Sequence, residues 1–234
     1  MRVSSAERGS IVTALGNCEI FEGLTRRELT RVSPFFEFIK FRSGEYIFME
    51  GDPSDWLYIV TEKRIKIVKN TQSGKEVLLE IKSPGEMFCC TTVLDNKPYP
   101  ESAQAKGAAS VVRISRKNFL TLIGAFPVIK VGIARYLTHK LIDAYDMLKN
   151  ISMEIVERRI ASTLLKLSEK VGIDNEGYRK IDFALTRQEV ADMVGTTIET
   201  SIRTMSKFEK MGIIKSTRKD ILVNTEGLRK FLHS

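Results

Sequence analysis

Glu199 and Arg203 stand four residues apart in the stretch TTIETSIRTMSKFEK, so a helix would bring both side chains to one face. These two residue types can read nucleic acid. A guanidinium donates two parallel hydrogen bonds to O6 and N7 of guanine, and a carboxylate accepts from the N4 amine of cytosine. The same pair can also form a surface ion pair across one helical turn, with Glu199 as a capping residue. The surroundings favour base reading. Thr197 and Thr200 share the helix, and between residues 203 and 220 Arg203, Lys207, Lys210, Lys215, Arg218 and Lys219 stand against only Glu209 and Asp220. That imbalance puts positive charge where phosphates would run.

The elements that must position these residues are legible nearby. Thr186-Arg187-Gln188-Glu189 is a capping box that opens a helix. Val190, Met193 and Val194 give the helix an apolar face, and Gly195 permits a sharp turn after it. Thr196 or Thr197 caps the next helix, whose apolar positions read Ile198, Ile202, Met205 and Phe208, and Gly212 ends it. Two short helices joined by a glycine turn form a helix-turn-helix. The following IIKSTRKDILV has two β-rich arms around a basic centre, which predicts a two-stranded wing.

Upstream, a helix is expected from Pro127 to about residue 150 or beyond. Ala134, Leu137, Leu141, Ala144, Leu148, Ile151 and Ile155 follow one another at alternating spacings of three and four. A stripe so narrow is read as the seam of a parallel dimer rather than as a core-facing stripe. EIVERRIASTLLKLSEKVG predicts a further helix closed by Gly172, IDNEGYRK a polar turn and KIDFAL a short strand. Residues 1–34 read as helix and loop, with LTRRELTRV stopped by Pro34. Over 35–114 the runs FFEFIKF, EYIFME, WLYIV, RIKIVK, EVLLEI and SVVRIS alternate between turn signals, as in a β-barrel or roll. One of those turns is Gln72-Ser73-Gly74-Lys75. Ser115 then caps a short helix that ends near Gly124. The fold class is therefore α+β, with three zones: a β-roll (1–126), which the family resemblance described below makes effector-sensing, a dimerisation helix and hinge (127–152), and a winged helix-turn-helix (153–234).

Composition narrows the function. The net charge of +8 suits a polyanionic partner. No run of about 18 apolar residues exists, so no membrane span or membrane partner is expected, and the chain is read as cytoplasmic. Cys18, Cys89 and Cys90 have no metal-ligand spacing, and on a strand Cys89 and Cys90 would point to opposite sides. No metal site is assigned. Phosphate loops, nucleophile elbows and histidine–acid constellations are lacking, so no enzyme is expected.

With these motifs in place, the chain resembles the CRP/FNR family of bacterial regulators over nearly its whole length. The resemblance rests on NISMEIVERRIASTLLKL, on LTRQEVADMVGTTIETSIR, and on Arg42-Ser43-Gly44-Glu45, Glu50-Gly51 and Ser83-Pro84-Gly85-Glu86-Met87-Phe88 in the roll. It implies a homodimer on a pseudo-palindromic double-stranded DNA operator, with RNA polymerase as a partner. Arg187 and Gln188 would lie near phosphates and Glu199 and Arg203 on bases. The roll, like a cyclic-nucleotide-binding jelly roll, would hold a small effector among Gly85, Glu86, Met87, Phe88, Cys89, Glu101, Ser102, Ala103 and, from the long helix, Tyr145. A cyclic-nucleotide-type module acting on a protein partner is the alternative.

Departures from the family pattern bear on the signal. TIETSIR looks like the FNR/DNR-like branch, with Ile198 where cAMP-responsive members often carry Arg and Ile202 where oxygen-responsive ones carry Ser. Glu101 stands where cAMP-binding members place an arginine on the cyclic phosphate, and Ala144 and Tyr145 lack the hydroxyl expected for adenine. cAMP is therefore not expected. Cys18 alone near the N-terminus argues against an iron–sulfur cluster. A haem or gas sensor, a thiol switch and a small organic effector remain open. His139 and Cys89 are weak haem-ligand candidates. The plainer readings are a solvated surface histidine, off the seam, and inert buried cysteines at 89 and 90.

Overall fold

The computed structural model describes residues 5–71, 76–153, 155–217 and 220–233. The expected turn at 72–75, Arg218, Lys219 and the side chain of Ile151 lie outside the described residues. The chain divides into two compact units, Met1–Leu141 and Ile142–Ser234.

The first unit opens with α1 (Ser5–Gly16) and α2 (Arg26–Val32), with 3-10 turns at Glu19–Phe21 and Ser33–Phe35. Thr25 and Glu28 cap α2 reciprocally, and Pro34 sits in the turn that follows it. The strands are β1 (Phe36–Phe41), β2 (Tyr46–Phe48), β3 (Trp56–Asn70), β4 (Glu76–Lys82), β5 (Met87–Phe88) and β6 (Ser102–Ser115). They pair antiparallel in the order β1-β6-β3-β4, with β2 on β6 and β5 on β3. The short helix α3 (Cys90–Asp95) interrupts the strands, and α4 (Arg116–Ala125) and α5 (Pro127–Met153) follow them. Ser115 caps α4 as its position suggested, its hydroxyl accepting from the Asn118 amide.

Period-2 alternation sorts β3 between two cores. Leu57 and Ile59 pack with Phe21, Phe36, Phe119 and the α5 residues Ile129 and Ile133. Tyr58 and Val60 turn to the roll interior with Phe48, Ile65, Ile67, Phe88 and Tyr99. The α5 backbone runs so close to Ile20 that a Cβ at Gly132 would stand 2.5 Å from its carbonyl oxygen.

Three expectations change, two in this unit and one at the end of α5, beyond Leu141. WLYIV and RIKIVK form one strand, β3, whose pairing with β6 shifts register on both sides of Glu62. Lys63, with φ +60°, marks that irregularity. Cys89 and Cys90 do not sit on a strand: Cys89 is left-handed at φ +70° and Cys90 opens α3. The long helix stops at Met153, and Ile155 is extended (φ −64°, ψ 149°), so Ile155 cannot continue the seam.

The second unit comprises α6 (Val156–Val171), β7 (Gly172–Asn175), β8 (Tyr178–Ile181), α7 (Arg187–Val194), α8 (Ile198–Lys210), β9 (Ile214–Ser216), β10 (Ile221–Val223) and α9 (Thr225–His233). Its sheet runs antiparallel in the order β7-β8-β10-β9. IDNEGYRK is thus a hairpin rather than a polar turn, and KIDFAL contributes only its first residues to a strand. The turn residues Glu176 and Gly177 both take positive φ, which closes the hairpin. Buried Ile160, Leu164, Val190, Val194, Met205, Phe208, Val223 and Leu228 make the core.

Candidate functional site

The reading unit is held by local chemistry. The Thr186 hydroxyl accepts from the Glu189 amide at 3.1 Å, and Glu189 Oε2 accepts from the Thr186 amide at 2.8 Å. After α7 the chain turns at Gly195, φ +67°, a left-handed conformation that disfavours a side chain. Arg159 on α6 donates from Nε to the Val194 carbonyl at 3.1 Å, pinning that turn from behind. The cap of α8 is Thr197, whose hydroxyl accepts from the Thr200 amide at 3.2 Å.

On α8 the buried stripe is Ser201, Thr204, Met205 and Phe208. Ile202 was expected in that stripe, but it is 47% exposed. One residue of helix is about 100° of rotation, so placing Ser201 inward turns Ile202 out beside Glu199 and Arg203. Thr197, Glu199, Arg203, Lys207 and Lys210 are exposed, and Thr200 and Ile198 are half-buried. Among the described residues, Glu199 and Arg203 make no hydrogen bond or ion pair, with each other or with any other group. The ion pair that four-residue spacing allows is not formed.

Several of the expected phosphate contacts are held within the unit. Arg187 Nη2 meets Glu209 at 3.4 Å and also donates to the Ser216 hydroxyl, tying α7 to α8 and β9. Gln188 donates to Asp192 at 2.6 Å. Lys207 pairs with Glu157 of α6 at 2.9 Å. Lys215 lies 4.3 Å over the Tyr178 ring.

A second feature is a cavity of about 200 Å³ in the roll, walled by Phe48, Ile67, Phe88 and Tyr99 on its apolar side. Its polar side carries Glu80 and Lys82 from β4, Tyr136 and Lys140 from α5, and Glu101. Glu80 Oε1 accepts from Lys82 Nζ and from Lys140 Nζ, both at 2.8 Å. Burial alone would raise the Glu80 pKa, yet the two ammoniums pull it down to about 2. Burial lowers the Lys82 pKa against the pull of Glu80, and burial raises that of Glu101. Burial, reinforced by Glu101, also raises the Cys89 thiol well above its ordinary value. The buried thiols of Cys18 and Cys90 are pushed up to about 12.

Residues 38–125 match the cyclic nucleotide-binding domain family and residues 158–231 the Crp-like helix-turn-helix domain family. The chain belongs to the CRP/FNR family. Among its relatives is the CRP-like cAMP-activated global transcriptional regulator of Mycobacterium tuberculosis, 28% identical over 90% of this chain and 94% of that one. The transcriptional activator protein anr of Pseudomonas aeruginosa is 26% identical over 77% of this chain and 73% of that one. A solved CRP/FNR-family regulator from Thermus thermophilus shares the fold, with a TM-score of 0.70 and 23% identity over 85% of this chain and 99% of that one. As a CRP/FNR member, the chain is a DNA-binding transcription regulator.

Within this CRP/FNR roll the expected pocket residues are divided. Phe88, Cys89 and Glu101 line the cavity; Gly85, Glu86, Met87, Ser102 and Ala103 do not. Met87 turns to the other core, because side chains alternate along β5. Glu86 accepts from the Ser83 amide at 2.8 Å and Ser102 from the Glu50 amide at 2.8 Å. Ala103 packs in the roll interior and Tyr145 is exposed. Sequence reading missed Glu80, Lys82, Tyr99, Tyr136 and Lys140. A signal existed for three of them. Glu80 and Lys82 pair across from inward-facing Ile67 and Ile65, and Lys140 falls on the α5 stripe of Ile129, Ile133 and Tyr136.

The weak haem-ligand candidate His139 is off the cavity wall, with Nδ1 2.7 Å from Glu19 Oε1. Among the described residues, no group of three or more His, Cys, Asp or Glu side chains could hold a metal, and no single helix is long and apolar enough to cross a membrane. The seam residues Ala134, Leu137, Leu141, Ala144 and Leu148 are all exposed on α5.

Proposed function

We propose that this chain is a homodimeric regulator of the FNR/DNR-like branch that reads a pseudo-palindromic operator with the outer face of α8. It answers to a small effector held in the roll. The observation that carries this reading is the unpartnered, exposed pair Glu199 and Arg203. Arg203 offers its fork to guanine O6 and N7, Glu199 accepts from cytosine N4, and Ile202 between them suits a thymine methyl. Lys210, with Arg218 and Lys219 of the wing, supplies the salt-dependent attraction to phosphates, and Thr197 and Thr200 add hydroxyls near the α8 N-terminus. Lys207 can turn from Glu157 to a phosphate at modest cost, because exposed ion pairs are weak, and Arg187 and Gln188 would exchange Glu209 and Asp192 for phosphates.

Homodimerisation is supported by the exposed Leu137, Leu141 and Leu148 on α5, at 36%, 56% and 60%. A dimer must set two reading helices about 34 Å apart, one turn of DNA. An effector tunes that spacing only through differential affinity for two states. RNA polymerase is the transcription partner and the cytoplasm the compartment. cAMP is not the effector, because Glu101 presents a negative charge where a cyclic phosphate would need a cation. The protonated Cys89 thiol weakens the thiol-switch and haem-thiolate alternatives, since the thiolate is the reactive and ligating form. A small organic effector is favoured.

The deciding experiment selects an operator from random DNA and measures its binding to wild type and to Arg203→Ala. Base reading predicts a loss of about 1–3 kcal/mol on the selected site, with little change on random sequence. Equal affinity for the selected site would sink the assignment.

A further inference from the structure

We infer that the roll cavity takes a small monocarboxylic acid with an apolar body, its carboxylate meeting Lys82 and Lys140 where Glu80 meets them now. This rests on the reading of the cavity as the effector site and names its ligand class.

Lys82 gives the first argument. Its side chain is 4% exposed, and an ammonium has three N–H donors. Among the described residues only Glu80 accepts from it. Buried donors left without acceptors are costly, and these belong to a side chain on the cavity wall. Lys140 brings a second cation to the same carboxylate oxygen. The Tyr136 hydroxyl lines the cavity with no hydrogen-bond partner among the described residues and is a further, neutral donor.

Charge then limits the ligand. The Glu80 side chain is 37% exposed, so it can turn to water when displaced. Lys82 and Lys140 would then face Glu101 and one ligand charge, which balances. A dianion such as a phosphate monoester would leave the cavity one charge negative. The rest of the wall is mainly apolar, with Cys89, Thr91 and Thr92 as its other polar members, and its rings are already stacked. Phe48 lies on Tyr99 with centroids 3.8 Å apart, and Tyr58 lies on Phe88 at 5.1 Å. A nucleotide carries more ribose hydroxyls and base nitrogens than Thr91 and Thr92 can meet, and would strand the rest against that surface. A branched, linear or single-ring hydrocarbon body would not.

Calorimetry on the full chain tests this with benzoate and hexanoate, their neutral counterparts benzamide and hexanol, and cAMP. Expected are binding of the acids, at least 10-fold weaker binding of the neutral compounds, and no cAMP binding. Lys140→Met, a partly exposed position that leaves the core intact, should weaken acid binding at least 10-fold. Glu80→Gln should strengthen it, because the competitor for the lysines is weakened; a merely structural ion triad would not produce that gain. Equal binding of acid and neutral compound, indifference to Lys140→Met, or binding of cAMP alone would overturn the proposal. Operator affinity, read in parallel by fluorescence anisotropy, separates the two readings. A protein that binds the operator but no acid loses only the ligand class. One that binds acid but no operator keeps the ligand class and loses the operator reading.

Discussion

The Arg159 guanidinium lies behind the helix-turn-helix corner, with Nε 3.1 Å from the Val194 carbonyl oxygen. The last carbonyls of a helix have no partner within it. Arg159 therefore satisfies a group that would otherwise be free to let the corner drift. Arg159→Ala should cost about 1 kcal/mol of stability, yet lower operator affinity by more than that, because the α8 orientation loosens. Thermal melts and anisotropy on the same samples check this, and Arg159→Lys should recover part of the affinity. A loss of binding no larger than the loss of stability would make Arg159 purely structural.

Leu141 is 56% exposed on α5 with no described cover. A carboxylate placed in a dimer seam has to be desolvated against apolar neighbours. Leu141→Glu should weaken dimerisation at least about 10-fold and lower operator affinity with it. Sedimentation velocity checks the first effect. A variant that stays dimeric would exclude this stripe as the seam.

Glu80 predicts a pH signature. Its folded pKa of about 2 lies below its ordinary 4.5, so it adds stability that is fully present above pH 4.5 and is lost as pH falls toward 2. The Tm difference between wild type and Glu80→Gln should therefore be widest above pH 4.5 and close on acidification. A difference that does not change with pH would mean that the lysines do not hold Glu80 ionised.

The parts of the protein that announce themselves in sequence are those built from neighbours. Thr186, Glu189, Gly195 and Thr197 fix two helices through contacts of a few residues, so their capping chemistry is visible in the string. Ile202 misled because apolar type outweighed phase: Ser201 and Thr204 take the inner stripe. The cavity was harder to see because its polar wall joins residues 60 positions apart, Glu80 and Lys140. Charged residues on a strand also read by default as facing water. Cys89 and Cys90 seemed to continue a strand only because a left-handed residue at 89 has no mark in the sequence.

The long helix α5 carries two commitments on one cylinder. Tyr136 and Lys140 line the cavity, while Leu137 and Leu141, about 100° further round the helix, are exposed. Side chains reach about 5–6 Å from a helix axis, so a roll of about 20° about that axis sweeps both stripes round together by about 2 Å. Whatever settles beside Lys140 is therefore registered, with no intermediary but the rod itself, at Leu137 and Leu141. The helix behaves as a camshaft, and its two faces cannot be tuned independently.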